Sequence, residues 1–289
     1  MPTAVWGLIM FDRYPPKSVV VGIDGSDAAI RAATWAVEEV AGTDIPLRLL
    51  YVTNPNPSAS PGGARAALLA AEEVVYAAYS VIDAMGKPLK VDTEIVHGHP
   101  VPALIAASRS TTLLCVGDTG AAQHPDAWLG STAKELAQLG HCSVAVVRGD
   151  RRDAGVPGSG WIVALVDESP DGIDVLEMSI HEARHRRAPL RVLKATPSGS
   201  SDMNEWGPET GVSHVKRCME NYPEVEIDTV VLEGSFLDYL VAHAASIQLV
   251  MIGAARTGDV QQLLGGAGAR ALRGSDFSLL VVGFERPGR

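Results

Sequence analysis

The sequence has 289 residues and, at roughly 150 residues per domain, has the length of about two domains. Its composition, with 46% hydrophobic and 20% charged residues, is that of a globular protein and excludes collagen-like and disordered classes. The formal net charge of −10 argues against general binding to nucleic acid or to an anionic membrane. No apolar segment approaches the ~20 residues that a membrane-spanning helix needs.

The three cysteines, Cys115, Cys142 and Cys218, are an odd number and form no CxxC pair. We therefore expect neither a disulfide framework nor a structural zinc site, and a reducing, cytoplasmic location. Cys115 lies in an apolar run and is predicted to be a core thiol. Residues 1–17 lack the charged start and the small-residue cleavage site of a signal peptide and are interpreted as a flexible leader.

Apolar segments of strand length alternate with amphipathic segments of helix length along the first half of the chain. Strands are predicted over Ser18–Ile23, Leu47–Val52, Leu89–Val96, Thr112–Val116 and Ser143–Val147. Helices are predicted over Ala28–Val40, Pro102–Arg109 and Gly130–Leu139, and a longer one has Leu68, Ala71, Val75, Ala78, Ile82 and Met85 on one face. This alternation indicates βαβ units, which form a parallel sheet with helices on both faces.

The second half of the chain repeats the first at fixed offsets. Val19–Ser26 resembles Ile162–Ser169 at an offset of 143 residues, and Leu113–Gly117 matches Leu249–Gly253 at an offset of 136. The repeat is therefore seven residues shorter in its second copy. We predict an α/β fold of two tandem doubly wound domains, each with a five-stranded parallel sheet and helices on both faces.

The repeat also sets the predicted domain boundaries. Residues 18–149, the first half, form one domain, and residues 161–289, the second half, form the other. Residues 150–160 are charged and contain several glycines, so they are predicted to be the linker between the two domains.

Two motifs follow strands one and four of the first half, where ligands of an open parallel sheet bind. Asp24, Gly25 and Ser26 follow the first strand, and the pattern G-x2-G-x9-G-S-T, formed by Gly117, Gly120, Gly130, Ser131 and Thr132, follows the fourth. Gly117 and Gly120 are expected to take positive φ and to let the backbone approach a phosphate. Gly130–Thr132 opens a helix whose N–H groups favour anions. Asp24 can accept hydrogen bonds from a base amine or a ribose hydroxyl.

With these motifs, the chain resembles the universal stress protein family in its tandem two-domain form, over about Ser18–Phe284. The resemblance implies that the first half binds ATP. Asp24 and the backbone near Val52 would contact adenosine, and the five residues of the glycine pattern would hold the ribose and the phosphates. It also implies a role in the stress response and pairing of domains through the last strands, Val144–Val147 and Leu279–Val282. We therefore expect a homodimer, since apolar edge strands need cover.

The second copy departs from the nucleotide pattern. Asp167, Gly253 and Gly266 keep their places and are candidate contacts, but Arg256 replaces the second glycine. Ala267 and Gly268 replace the hydroxyl residues, although the helix end that favours an anion is expected to remain. The sequence leaves open whether Arg256 binds a phosphate or fills the pocket.

Acidic residues in the phosphate loop of the first half point to a metal. Asp118 and Asp126 would repel phosphates unless a cation intervened, so Mg²⁺ is expected with ATP. In the same loop, Trp128 is interpreted either as a lid or as a ring that stacks on the base. Trp35 lies off the buried stripe of its helix and is predicted at the core edge or facing a partner.

One catalytic motif was tested against the pattern of its helix. His181–His185 spells H-E-x-x-H, but the helical period turns both histidines to water, together with Arg184, Arg186 and Arg187. A solvated helix face is therefore the better interpretation than a zinc site.

Three functions remain open at this point. The leading hypothesis is a regulatory ATP-binding protein, not an enzyme, that signals through its conformation or oligomeric state to an unidentified protein partner. The sequence has no Walker lysine, so efficient ATP hydrolysis is not expected. The alternatives are a slow ATPase or self-phosphorylating enzyme, motivated by Ser131 and Thr132, and a nucleotide-free dimeric scaffold.

Overall fold

The computed structural model describes residues 18–53, 61–120, 128–149, 160–167, 169–194 and 211–283. The predicted leader and residues 150–159 of the predicted linker lie outside the described residues. The first half contains strands β1 (Val19–Ile23), β2 (Leu47–Thr53), β3 (Val91–His97), β4 (Leu113–Gly117) and β5 (Ser143–Val147). Its helices are α1 (Asp27–Val40), α2 (Pro61–Asp83), α3 (Pro100–Ala107) and α4 (Ser131–Leu139).

The second half repeats this order of strands, with helices of different lengths. Its strands are β6 (Trp161–Val166), β7 (Leu190–Lys194), β8 (Ile227–Val231), β9 (Ile247–Gly253) and β10 (Ser278–Val282). Its helices are α5 (Pro170–Arg186), α6 (Gly211–Asn221), α7 (Phe236–His243), α8 (Thr257–Leu264) and α9 (Gly266–Ala271). Among the described residues, no helix is long and apolar enough to cross a membrane.

All ten strands form one sheet, in the order β3-β2-β1-β4-β5-β10-β9-β6-β7-β8. The five strands of each half are parallel to one another, which confirms the predicted fold class. The two five-stranded sheets are joined because β5 and β10 pair antiparallel, with Val144 opposite Val281 and Val146 opposite Leu279. The pairing of last strands therefore occurs within one chain, where each apolar edge covers the other.

The helices begin at capping residues and bury their apolar faces, as α1 illustrates. The Ser26 hydroxyl accepts a hydrogen bond from the backbone N–H of Ala29 and caps the helix, and Ser169 caps α5 in the same way through Gly172. The predicted stripe of α1 is buried, and Trp35, which lies off that stripe, is buried as well, at 5% exposed. On α2, Ala71, Val75, Ala78 and Ile82 are buried as predicted, but Leu68 is 39% exposed, which contradicts the prediction at that position.

A buried ion cluster joins α1 to α5. The Arg186 guanidinium pairs with Glu182 at 2.7 Å and with Glu39 of the first half, and its carbon lies 4.8 Å from the centre of the Trp35 ring. The prediction that Arg186 faces water is therefore wrong, because the partner of this face is the other half of the same chain. His181, Arg184, His185 and Arg187 are exposed as predicted.

Candidate functional site

The strand order reverses between β1 and β4, which places the candidate site at the switch point of the first half. Asp24 follows β1 and is oriented by its neighbours, because one of its carboxylate oxygens accepts from the backbone N–H of Ser26 at 3.0 Å and from its hydroxyl at 2.6 Å. The turn requires Gly25, whose φ is +84°. The carboxylate of Asp24 is thereby held at the carboxyl edge of the sheet.

The two ends of the glycine loop, residues 117–120 and 128–132, meet beside Asp24. The backbone N–H of Asp118 donates to the Val147 carbonyl at 3.0 Å, and that of Gly130 donates to the Asp118 carbonyl at 2.6 Å. A Cβ on Gly120 would lie 3.0 Å from a carboxylate oxygen of Asp24. The structure thus brings Asp24, Gly120 and Gly130 together, as predicted.

The glycines serve different purposes from those expected. The predicted positive φ at Gly117 and Gly120 is wrong, since Gly25 is the glycine of this site that takes it. A Cβ on Gly117 would lie 2.6 Å from the carbonyl carbon and the Cβ of Ala28. Gly117 is therefore required for the close approach of α1 to the end of β4.

Helix α4 is the element predicted to bind an anion. It has nine residues, and among the described residues no side chain caps its first-turn N–H groups, since the N-cap is Gly130. Ser131 is exposed and Thr132 is half-buried in that first turn. Val52 lies on β2, beside β1, and is half-buried.

The Asp118 carboxylate is already paired with cationic side chains. It is buried and stands between two guanidinium groups, 3.2 Å from Arg31 and 3.6 Å from Arg148. These two guanidinium groups offset its negative charge, so the repulsion of a phosphate expected from Asp118 is reduced. Asp126 lies outside the described residues.

Trp128 is neither a lid nor a stacking ring. It is 1% exposed and packs edge-to-face on Phe277 of the second half, with ring centres 5.9 Å apart and an interplanar angle of 65°. Both interpretations offered by the sequence are corrected, because the ring belongs to the core between the halves.

At the corresponding place in the second half, Arg256 pairs with acidic side chains. Its guanidinium lies 2.8 Å from Asp167 and 2.8 Å from Asp259, in a cavity of about 240 Å³ that Gly253 also lines. Burial would raise the pKa of Asp167, but hydrogen bonds from Ser169 and the nearby Arg256 outweigh it, so the pKa is lowered. Arg256 is therefore paired with two carboxylates at the wall of this cavity, which it narrows without filling.

The helix at the second predicted anion site is present but shorter than its counterpart in the first half. Helix α9, which begins at Gly266, has six residues, against nine in α4. A helix this short presents little dipole, and Ala267 and Gly268 bring no hydroxyl to it. Asp167 and Gly253 line one cavity, and Gly266 begins a shorter helix than its counterpart in the first half.

The H-E-x-x-H helix lines a broad groove of about 680 Å³ with His181, Arg184, His185 and Glu224 among its walls. Burial lowers the pKa of His185, which favours its neutral form. Within the described ranges, no group of three or more His, Cys, Asp or Glu side chains is placed to hold a metal ion. The described cysteines are buried and free of disulfides, and burial raises the pKa of Cys115, as expected for a core thiol.

Comparison with known proteins identifies the family. The profile of the universal stress protein family matches residues 16–148. Over 276 residues the chain is 38% identical to a universal stress protein of Mycobacterium tuberculosis, which covers 95% of this chain and 99% of the relative. The chain belongs to the universal stress protein family. A second universal stress protein of the same organism is 35% identical over 266 residues, covering 92% of this chain and 96% of the relative.

Solved universal stress protein structures share the fold over both halves. One from Archaeoglobus fulgidus superimposes with a TM-score of 0.69 at 15% identity, covering 93% of this chain and 97% of that one. One described as a putative universal stress protein from Pseudomonas aeruginosa gives a TM-score of 0.52 at 17% identity, covering 92% and 93%. At these identities the likeness establishes the fold.

Two residues beside the glycine loop were missed by the sequence reasoning, Arg31 and Arg148. Both reach Asp118, and neither carries a motif. Neither corresponding position of the second half holds an arginine. The offset of 143 places Asp174 opposite Arg31, and matching hydrogen bonds, of Arg148 with Ser278 and of Gly283 with Ser143, place Gly283 opposite Arg148. The sequence alone could not show that both side chains meet at one carboxylate.

Proposed function

We propose that this universal stress protein is a regulatory ATP-binding protein whose first half holds the nucleotide. The observation that carries the proposal is the convergence at one switch point of Asp24, Gly120 and the N-terminus of α4. An acceptor for adenosine hydroxyl or amine groups stands beside a glycine backbone and a helix end suited to phosphates. Asp24, Gly25, Ser26, Val52, Gly117, Gly120, Gly130, Ser131 and Thr132 line or shape this edge.

The phosphates are held without lysine. Backbone N–H groups of α4 and the hydroxyls of Ser131 and Thr132 are the donors available at the glycine loop ends. Mg²⁺ would supply the cation for the remaining charge of the nucleotide, and Asp118 would not be needed to hold it, because this carboxylate is already paired with Arg31 and Arg148.

Binding is proposed for the first half only. Arg256 lines the second cavity and pairs with the aspartate that corresponds to Asp24, which leaves that carboxylate less able to accept from a nucleotide. One ATP per chain is the expected stoichiometry.

The output of binding is proposed to be a change of conformation or oligomeric state that a protein partner detects in the cytoplasm. A homodimer remains part of the proposal, but in this arrangement it uses a surface other than the edges of β5 and β10, because these edges pair with each other. Sedimentation of the chain with and without ATP measures this output.

A second candidate function is slow self-phosphorylation. Ser131 is exposed in the first turn of α4, at the end where phosphates would lie. Mass spectrometry of the intact chain after incubation with ATP and Mg²⁺ tests it. A phosphopeptide containing Ser131 or Thr132 supports the candidate, and an unmodified chain with no ADP formed excludes it.

Calorimetry with matched aspartate variants tests the main proposal. Asp24→Asn is expected to weaken ATP binding roughly 10- to 100-fold, since a hydrogen bond to a charged group contributes about 1.5–3 kcal/mol. Asp167→Asn, the same change at the repeated position, is expected to leave the affinity unchanged. Wild-type chain that binds no ATP at millimolar concentration would refute the proposal and favour a nucleotide-free scaffold.

A further inference from the structure

Arg148 connects the glycine loop to the second half of the molecule. One terminal nitrogen of its guanidinium donates to the carbonyl of Trp128 and lies 3.6 Å from Asp118, so it contacts both loop ends. The other terminal nitrogen donates to the carbonyl of Arg273 in the second half at 2.9 Å. One planar group with fixed donors thus holds three points that are distant in sequence.

The backbone of Arg148 is also tied to the second half. The Ser278 hydroxyl accepts from the N–H of Arg148 at 3.1 Å and donates to its carbonyl at 3.3 Å. The next residue, Gly149, has φ of +75°, and a Cβ there would lie 2.6 Å from the Asp276 carbonyl oxygen. The backbone of residues 148 and 149 therefore packs closely against residues 276–278 of the second half.

The repeat provides an internal comparison. Ser143 makes the mirror-image pair of hydrogen bonds with the N–H and carbonyl of Gly283, at 3.2 and 3.3 Å. Gly283 stands where the first half has Arg148, and it has no side chain to reach a loop. The aligned partners are also different, since Asp118 corresponds to Ala254 and Arg31 to Asp174. The arginine cluster is present only in the half whose glycine pattern is intact.

The ion pair between Asp118 and Arg148 is largely shielded from water, so its loss is expected to affect the loop. The Asp118 and Arg148 side chains are 10% and 14% exposed, so their charges interact in a poorly solvated setting. Removing Arg148 leaves the Asp118 carboxylate with Arg31 alone and frees the Trp128 carbonyl. Both loop ends lose their common anchor, and the link to residue 273 is broken.

We propose that Arg148 is a positioning residue that clamps both ends of the glycine loop to the second half, so that the second half sets the ATP affinity of the first. The inference rests on the proposed function, because the affinity it controls is that of the proposed site. It gives the half that has lost the nucleotide pattern a role in binding. By linkage, ATP bound at the loop stabilises residues 273–278 in return.

Backbone hydrogen exchange of the full-length chain, with and without ATP and Mg²⁺, tests the clamp. In the wild type, ATP is expected to slow exchange at the loop ends and also at residues 273–278. Arg148→Ala is expected to speed exchange at both places without nucleotide, to weaken ATP binding about 10-fold and to abolish the response of residues 273–278. A merely structural role would give the same change in exchange with and without ATP.

Three control variants separate the contributions. Arg31→Ala removes the other cation from Asp118. Among the described residues, the Arg31 side chain makes no hydrogen bond or ion pair with the second half, so ATP should still slow exchange at residues 273–278 in this variant. Ser278→Ala should reproduce part of the Arg148→Ala effect, whereas Ser143→Ala, its mirror image, should not. Arg148→Lys should fail to restore coupling, because an ammonium cannot span the same acceptors.

The outcomes distinguish the two claims. If wild-type chain binds ATP but Arg148→Ala binds it equally well, or if residues 273–278 do not respond to ATP, the inference is overturned. If wild-type chain binds no ATP, the proposed function fails, and the control of affinity fails with it. The clamp itself is then judged by exchange without nucleotide, where unchanged rates in Arg148→Ala refute it.

Discussion

The two halves of the molecule share a strand order and differ in what they do at the switch point. Each has five parallel strands and an aspartate held by a capping serine after its first strand. In the first half this aspartate faces a glycine, and in the second half it is paired with Arg256. Several substitutions, with Arg256 among them, thus change the side chains at this edge while the fold is retained. The comparison teaches that fold and binding site can diverge separately after duplication.

The largest expected effect concerns the joint between the halves. Arg186→Met leaves the buried carboxylates of Glu39 and Glu182 without their cation, which is expected to cost about 3–5 kcal/mol of unfolding free energy. Denaturant unfolding measures it. Arg184→Met is the matched control on the same helix, because Arg184 pairs with Glu224 at half-exposed positions and should cost about 1 kcal/mol. Equal losses in the two variants would show that the buried cluster does not hold the joint.

The next effect separates two aligned glycines. Gly117→Ala places a Cβ 2.6 Å from backbone and side-chain atoms of Ala28, so it is expected to cost about 1–3 kcal/mol. Gly253→Ala meets the nearest atom, a methyl group of Val175, at 3.3 Å and should cost less than about 1 kcal/mol. Melting temperatures of the two variants test this difference. A larger loss at Gly253 would contradict the packing role assigned to Gly117.

Local patterns in the sequence were enough to predict the repeated fold and much of the site. Strand β5 begins and ends as predicted, and Asp24, Gly120 and Gly130 come together, since hydrophobic period and turn residues are local signals. Contacts between distant residues could not be predicted in this way. Arg186 and Glu39 are 147 positions apart, and no periodicity of α5 shows that α1 covers its second face.

Removing the two helix-capping serines is expected to have equal effects on stability and unequal effects on binding. Ser26→Ala and Ser169→Ala each remove an N-cap and should each cost about 1 kcal/mol. Only Ser26→Ala should weaken ATP binding, because its hydroxyl also orients Asp24. Urea unfolding and calorimetry on the same samples measure both quantities. Equal weakening of ATP binding by both variants would contradict the assignment of binding to the first half.

The smallest expected effect is the pH dependence of stability that the Asp167–Arg256 ion pair contributes. The pKa of Asp167 is lowered in the folded chain, so the stabilisation from its ionised form is present above the unfolded pKa of about 4 and is lost as pH falls through the folded value. Arg256→Gln removes one cause of the lowering, while the hydrogen bonds from Ser169 remain. The variant should therefore be less stable at neutral pH by at most about 1 kcal/mol, because the pair is partly exposed, and should lose less stability below pH 4. Unfolding free energies at a series of pH values check this, with Arg256→Lys as the control that keeps the charge. If the unfolding free energies of wild type and Arg256→Gln fall in parallel below pH 4, the Asp167–Arg256 ion pair does not stabilise the folded chain.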